Sequence, residues 1–237
     1  MKKLNFPKDF DWGTASSGPQ SEGSKDKPHE SLWDYWYNQD KDRFYQKVGP
    51  KITCDSYDRY KEDVKIMSEL GLKSFRTSIQ WTRLIKDLET GEPDPKAVEF
   101  YNNYIDEMIK NNVEPVMNLF HFDTPIELEK KYGGFKSKKV TELYIKFATT
   151  AFKLFGDRVK RWITFNEPVA HTKGAYLYDF IYPNEISMKS FAQANYNILL
   201  AHAGACKAYK DLQLNGEIGI VVDLLPPIPR SNNSQDL

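Results

Sequence analysis

Short β-rich runs alternate with amphipathic helical stretches along this chain, and this alternation is what most restricts its possible folds. Strands are predicted over residues 11–15, 74–79, 113–120, 162–165 and 217–223. Helices are predicted between them. The stripe Tyr57, Tyr60, Val64, Met67 and Leu70 recurs at three- and four-residue steps, and Gly71 is a natural stop. Asp94 and Pro95 read as an N-cap followed by proline in the first turn, leading the stripe Val98, Tyr101, Ile105 and Met108 to about residue 111. Ser137 opens a helix striped by Val140, Tyr144, Phe147, Ala151 and Leu154 and closed by Gly156, and a long helix covers residues 187–212. Strands alternating with helices in this way imply a parallel sheet covered by helices.

Two parallel architectures compete. A doubly wound sheet normally carries a glycine-rich phosphate turn after its first strand, and Gly13 and Gly18 do not form that pattern. Polar residues gather instead at the C-terminal ends of several strands: Gln20, Arg76, His121, Asn166 and Glu167. That distribution favours a (β/α)8 barrel of the TIM type, whose site is assembled from many strand ends. Strand starts fall about 52 residues apart, so the chain has room for about five of the eight units of such a barrel. Residues 1–237 are therefore expected to form the N-terminal part of a single barrel, truncated before its last three units.

Chemistry concentrates at Thr164-Phe165-Asn166-Glu167-Pro168, where an apolar run ends in an amide, a carboxylic acid and a proline. Asn-Glu-Pro on its own also reads as a helix start. At a barrel strand end, a glutamate beside an amide suits a glycosidase, as a general acid/base next to a group that holds a sugar hydroxyl.

Composition narrows the function classes. Lys plus Arg and Asp plus Glu are equal at 33 each, so no global field points to nucleic acid or an anionic membrane. The lysines at 130–131 and 136–139 read as a solvated loop and helix start. Aromatic residues make up 14% of the chain, enough for sugar stacking as well as core packing. Cys54 and Cys206 lack metal-like spacing and read as reduced, buried thiols of a cytoplasmic protein. The first residues lack a signal-like apolar stretch, and no run approaches a membrane span. The spacing of His29, His171 and His202 suggests no metal, and no cofactor is implied.

The ordered blocks resemble the N-terminal half of glycoside hydrolase family 1, the β-glucosidase family. They are Phe10-Asp11-Trp12-Gly13-Thr14-Ala15, Gln20-Ser21-Glu22-Gly23, Asp58-Arg59-Tyr60-Lys61-Glu62-Asp63, Phe75-Arg76-Thr77-Ser78-Ile79-Gln80-Trp81, Leu119-Phe120-His121-Phe122-Asp123-Thr124-Pro125, Gly133-Gly134-Phe135 and the segment ending at Pro168. The resemblance implies Glu167 as acid/base, Asn166 on the sugar 2-hydroxyl, and Gln20 and His121 on other hydroxyls of that sugar. It implies that Arg76 contacts the nucleophilic carboxylate, which by family pattern lies in the seventh unit and is absent from this chain.

Two departures, Phe122 after His121 and Pro19 before Gln20, resemble bacterial phospho-glycosidases. The implied substrate is then a 6-phosphorylated β-glucoside or β-galactoside, bound by phosphate-contacting residues beyond 237. A β-glucosidase for unphosphorylated sugars stays open as an alternative. So does an inactive remnant, or half of a split enzyme that works only with a complementing C-terminal half; self-association is the other partner expectation.

Overall fold

Residues 5–224, 228–231 and 233–234 are described by the computed structural model of the protein. Half of the predicted tail loop from Pro226 lies outside them, as do the first four residues.

Five strands form one parallel sheet: β1 (Gly13–Ala15), β2 (Ser74–Ser78), β3 (Glu114–Asn118), β4 (Arg161–Asn166) and β5 (Glu217–Val221). Their spatial order equals their sequence order, β1-β2-β3-β4-β5, with every pair parallel. Four of the crossing helices are α1 (Ser56–Glu69), α2 (Pro95–Lys110), α3 (Lys138–Phe155) and α4 (Met188–Asp211). A parallel sheet that adds each strand beside the last, with a helix in every crossover, is the winding of a (β/α)8 barrel. The described residues form five strands of it.

The helices begin where local chemistry dictates. Asp94 accepts from the backbone N–H groups of Lys96 and Ala97, Ser137 from that of Lys139, and Ser187 from that of Ser190. Gly71 follows α1 with φ +74°, a left-handed conformation that glycine adopts without strain. The predicted stripes are the buried faces. Val64, Tyr101, Ile105, Met108, Val140, Tyr144, Phe147 and Ala151 are all fully buried. Aromatic rings fill the layer between helices and sheet, with Trp81 stacked on Phe147 at 5.4 Å and Tyr144 on Phe165 at 4.5 Å.

Leu70 departs from its stripe. It is 71% exposed, because it sits after the last turn of α1 and the chain swings to Gly71. Cys54, expected to be buried, is exposed, and Cys206 is half-buried; both are free thiols. Cys54 belongs to the long excursion after β1, which runs over the surface before α1 begins. That excursion contains the helix Leu32–Gln39, opened by a capping box between Ser31 and Asp34.

The excursion is anchored by a buried ion pair. Arg83 and Glu22 are both fully buried, with Arg83 Nε donating to Glu22 Oε2 at 2.8 Å. Gln80 Nε2 donates to the same oxygen at 2.7 Å, and the Tyr101 hydroxyl lies 3.1 Å from it. Nη1 and Nη2 of the guanidinium donate to Lys25 O and Gly23 O at 2.7 and 3.0 Å. Every charge is thus met by hydrogen bonds, which a buried pair requires. An Arg83→Met variant strands the Glu22 carboxylate in the core. We expect a loss of about 3–5 kcal/mol in unfolding free energy, measurable by denaturant titration, with Glu22→Gln/Arg83→Met losing clearly less than the sum of the two single changes.

Candidate active site

The C-terminal ends of the strands bring four of the five sequence-predicted residues together. β4 ends in Asn166, which is 4% exposed. Its backbone N–H donates to Phe120 O at 3.0 Å, beyond the end of β3, and the N–H of Glu167 donates to Val221 O on β5 at 2.9 Å. The pairing of β4 with β5 shifts register between Ile163 and Asn166. Irregularities of this kind re-aim side chains at the rim of a sheet.

Glu167 stands at a sharp turn. Its backbone is left-handed, with φ 45° and ψ 59°, and Pro168 begins the helix Pro168–Tyr176 immediately after it. A residue preceding proline is excluded from much of the right-handed region, and a non-glycine residue in the left-handed one carries strain of about 1–2 kcal/mol. Both meanings of the Asn-Glu-Pro segment are realised, a strand end and a helix start.

Arg76 lies in β2 with its side chain half-buried. It donates from Nη2 to Asn166 Oδ1 in a short hydrogen bond. Burial holds its guanidinium below the ordinary arginine value, and the negative charge of Glu167 works in the opposite direction. Asn166 thus keeps its amide nitrogen for a ligand, since its oxygen faces Arg76.

His121 follows β3. Burial, and then the neighbouring Arg76 charge, push its pKa down to about 4. Its Nδ1 lies 3.4 Å from Asn118 Nδ2, so in the neutral ring the proton belongs on Nε2, which can donate to a hydroxyl. Gln20 stands apart from this group. It lies on the short helix Gly18–Ser21 after β1, exposed, with its Oε1 accepting from Ser17 Oγ at 2.8 Å and its amide N–H groups available.

Supporting residues were not distinguished by sequence reasoning. Asp123 is fully buried and accepts the backbone N–H of His121 at 3.0 Å and of Trp81 at 3.1 Å, joining the ends of β3 and β2. Burial raises its carboxyl to about 6. Phe122, left-handed at φ 63°, stacks on His171 at 5.3 Å and lies tilted against His121 at 5.2 Å. Burial alone lowers the His171 pKa to about 4, and its Nδ1 has no hydrogen-bond partner. The signal for Asp123 was its place in the block with His121; nothing local marked His171. Among the described residues no His/Cys/Asp/Glu group could hold a metal ion, and no helix is long and apolar enough to cross a membrane.

The electrostatics yield a direct test. The His121 and His171 rings should stay neutral to about pH 4, against an ordinary value of 6.5. Imidazole NMR titration of the chain should show this, and Arg76→Ala should raise the His121 midpoint while leaving that of His171 in place. Burial alone lowers the His171 midpoint.

Comparison with known proteins bears on this arrangement. The family model for glycosyl hydrolase family 1 matches residues 2–237. The 6-phospho-beta-glucosidase GmuD of Bacillus subtilis (strain 168) is 46% identical over 238 residues, covering 100% of this chain and 51% of the relative. A 6-phospho-beta-galactosidase of Clostridium acetobutylicum is 38% identical, covering 98% of this chain and 48% of the relative. The family 1 b-glucosidase structure from Thermotoga maritima superposes with a TM-score of 0.90 at 33% identity, covering 98% of this chain and 52% of that one. The chain spans about half the length of the relatives it matches.

Proposed function

The chain belongs to glycosyl hydrolase family 1, and on that premise we propose that it forms the acid/base side of a retaining β-glycosidase acting on 6-phospho-β-D-glucosides. The observation that carries this reading is the strand-end group itself. Glu167 sits at the mouth on a strained turn, with Asn166 beside it and the Arg76 cation close to both.

In this role the protonated Glu167 donates to the departing glycosidic oxygen, and its carboxylate then activates water. Asn166 holds the 2-hydroxyl, a contact that strengthens as the ring becomes oxocarbenium-like. His121, neutral and donating from Nε2, and Gln20 from its amide, bind further hydroxyls. Arg76 is placed to keep a second carboxylate ionised. A retaining mechanism needs that carboxylate about 5–5.5 Å from the first, as nucleophile. Arg76 makes no ion pair with a carboxylate among the described residues, so the nucleophile is proposed to come from the units beyond β5. Residues 1–237 are in this view the N-terminal part of one barrel.

The phosphorylated substrate is favoured by similarity, since the Bacillus 6-phospho-β-glucosidase is 46% identical while two relatives named β-glucosidases are 36% and 33%. Phe122 after His121 and Pro19 before Gln20 point the same way. Comparing turnover of phosphorylated and unphosphorylated β-glucosides by a protein carrying all eight units decides the point, and preference for the unphosphorylated sugar would refute the assignment. The 237-residue chain itself should show no enzyme-like turnover of a chromogenic 6-phospho-β-glucoside, because in this reading the second carboxylate belongs to units outside residues 1–237.

Association is proposed from the other side of the sheet. Tyr196, Leu199 and Leu200 form an exposed apolar stripe on α4, with Tyr196 56% and Leu199 59% exposed, and among the described residues β5 ends the sheet with one edge unpaired. Apolar stripes and open strand edges invite a partner, whether a second copy or a complementing half. Sedimentation should show self-association that weakens in Tyr196→Lys/Leu199→Lys; a strictly monomeric parent chain would overturn this.

A further inference from the structure

Asp123 is a fully buried carboxylate with no ion-pair partner among the described residues. Its oxygens are met by backbone N–H groups. Oδ1 accepts from His121 at 3.0 Å and Oδ2 from Trp81 at 3.1 Å. The first bond fixes the residue after β3 that carries the imidazole, and the second reaches across to the chain leaving β2. An ionised carboxylate accepts both. A protonated one turns one oxygen into an O–H donor, and a buried N–H facing that oxygen loses most of its bond.

The segment around Asp123 is free to respond on one side only. On the far side, the Leu32 N–H donates to Thr124 O at 3.1 Å and the Ile126 N–H to Glu30 O at 3.0 Å, so the excursion after β1 holds residues 124 and 126. On the near side stands Phe122, left-handed at φ 63°, a backbone that persists where the bonds around it over-determine it. The charged and titratable groups around the carboxylate are few. Lys27 of the excursion faces it, but that side chain is 5% exposed and already paired with Asp34. Tyr144 of α3 also faces it, its hydroxyl raised well above the ordinary value by burial. His121 on the same segment and His171 against Phe122 are held down to about 4 by burial. Burial raises Asp123 itself to about 6, so it changes charge in a range where these histidines and Tyr144 do not.

We propose that Asp123 is a positioning residue, whose ionised carboxylate holds His121 where its Nε2 meets the sugar and whose protonation releases that donor and weakens sugar binding. The inference rests on reading the strand-end group as a β-glycoside site. With residues 124 and 126 held, loss of the tether is relieved at Phe122 and His121, and the imidazole moves with them.

Backbone amide NMR of the intact 237-residue chain reads the tether directly. The His121 and Trp81 amide protons should shift together with pH, with one midpoint at about 6. Separate midpoints, or a shared one at the ordinary carboxylate value of 3.8, overturn the proposal. Sugar binding is followed with methyl β-D-glucoside, which has no ionisable group; the proposed phosphate contacts lie outside this chain. One unit below the midpoint about one-tenth of Asp123 is ionised, so the apparent affinity should be about tenfold weaker at about pH 5 than at about pH 8. Asp123→Asn keeps the shape and cannot titrate. It should lose the amide shifts and bind equally at both pH values, with circular dichroism reporting its fold; should it not fold, the two titrations of the parent chain decide. Equal affinity of the parent chain at both pH values overturns the positioning role and leaves the glycoside site standing. A pH dependence of binding that survives in Asp123→Asn overturns it too. No binding at any pH, with the shared amide midpoint present, upholds the tether and overturns the glycoside reading.

Discussion

The ion pair between Glu22 and Arg83 is the interaction on which the arrangement of this molecule turns. Neither side chain has any exposure, so both charges have been removed from water and depend on each other and on their hydrogen bonds. Glu22 belongs to the excursion after β1, Arg83 and Gln80 to the chain leaving β2, and Tyr101 to α2. Arg83 also lies over the Tyr57 ring of α1 at 4.2 Å. A single buried pair thereby joins the first two units of the winding. Gln20 lies two residues before Glu22 on the same excursion.

A second constraint organises the strand ends. Parallel strands deliver their C-terminal residues to one face, where buried polar groups must be satisfied by each other or by a ligand. Arg76 satisfies the Asn166 oxygen, Asp123 satisfies the backbone N–H of His121, and Asn118 faces the His121 ring. What stays free in this group is a pair of donors, the Asn166 amide and His121 Nε2, with the exposed Gln20 amide standing apart. Donors without acceptors suit a ligand made of hydroxyl groups. The same burial that confines these groups keeps His121 neutral, so the cation of the site is Arg76.

Much of this was legible in the chain itself. Periodicity located α1 to α4 to within a residue or two, because apolar stripes and the caps at Asp94, Ser137 and Ser187 are local properties. The strands were found for the same reason. Leu70 was misjudged because periodicity cannot tell the last turn of a helix from the residue that leaves it. Cys54 was misjudged because a lone thiol in a long excursion carries no local signal of depth. Asp123, Arg83 and His171 act through contacts with residues distant in sequence, which no window of neighbours contains.

The sequence by itself determined the family, the parallel winding and the residue types at the strand ends, since those follow from local patterning and from motifs read in order. The tertiary structure decided the rest. Only in space does Arg76 meet Asn166, ninety residues away, and only there does Glu22 meet Arg83, from the excursion after β1 to the chain leaving β2. Burial and proximity set the protonation of His121 and the strained backbone of Glu167. Both are properties of the packed chain, and both arise where long-range contacts override local preference.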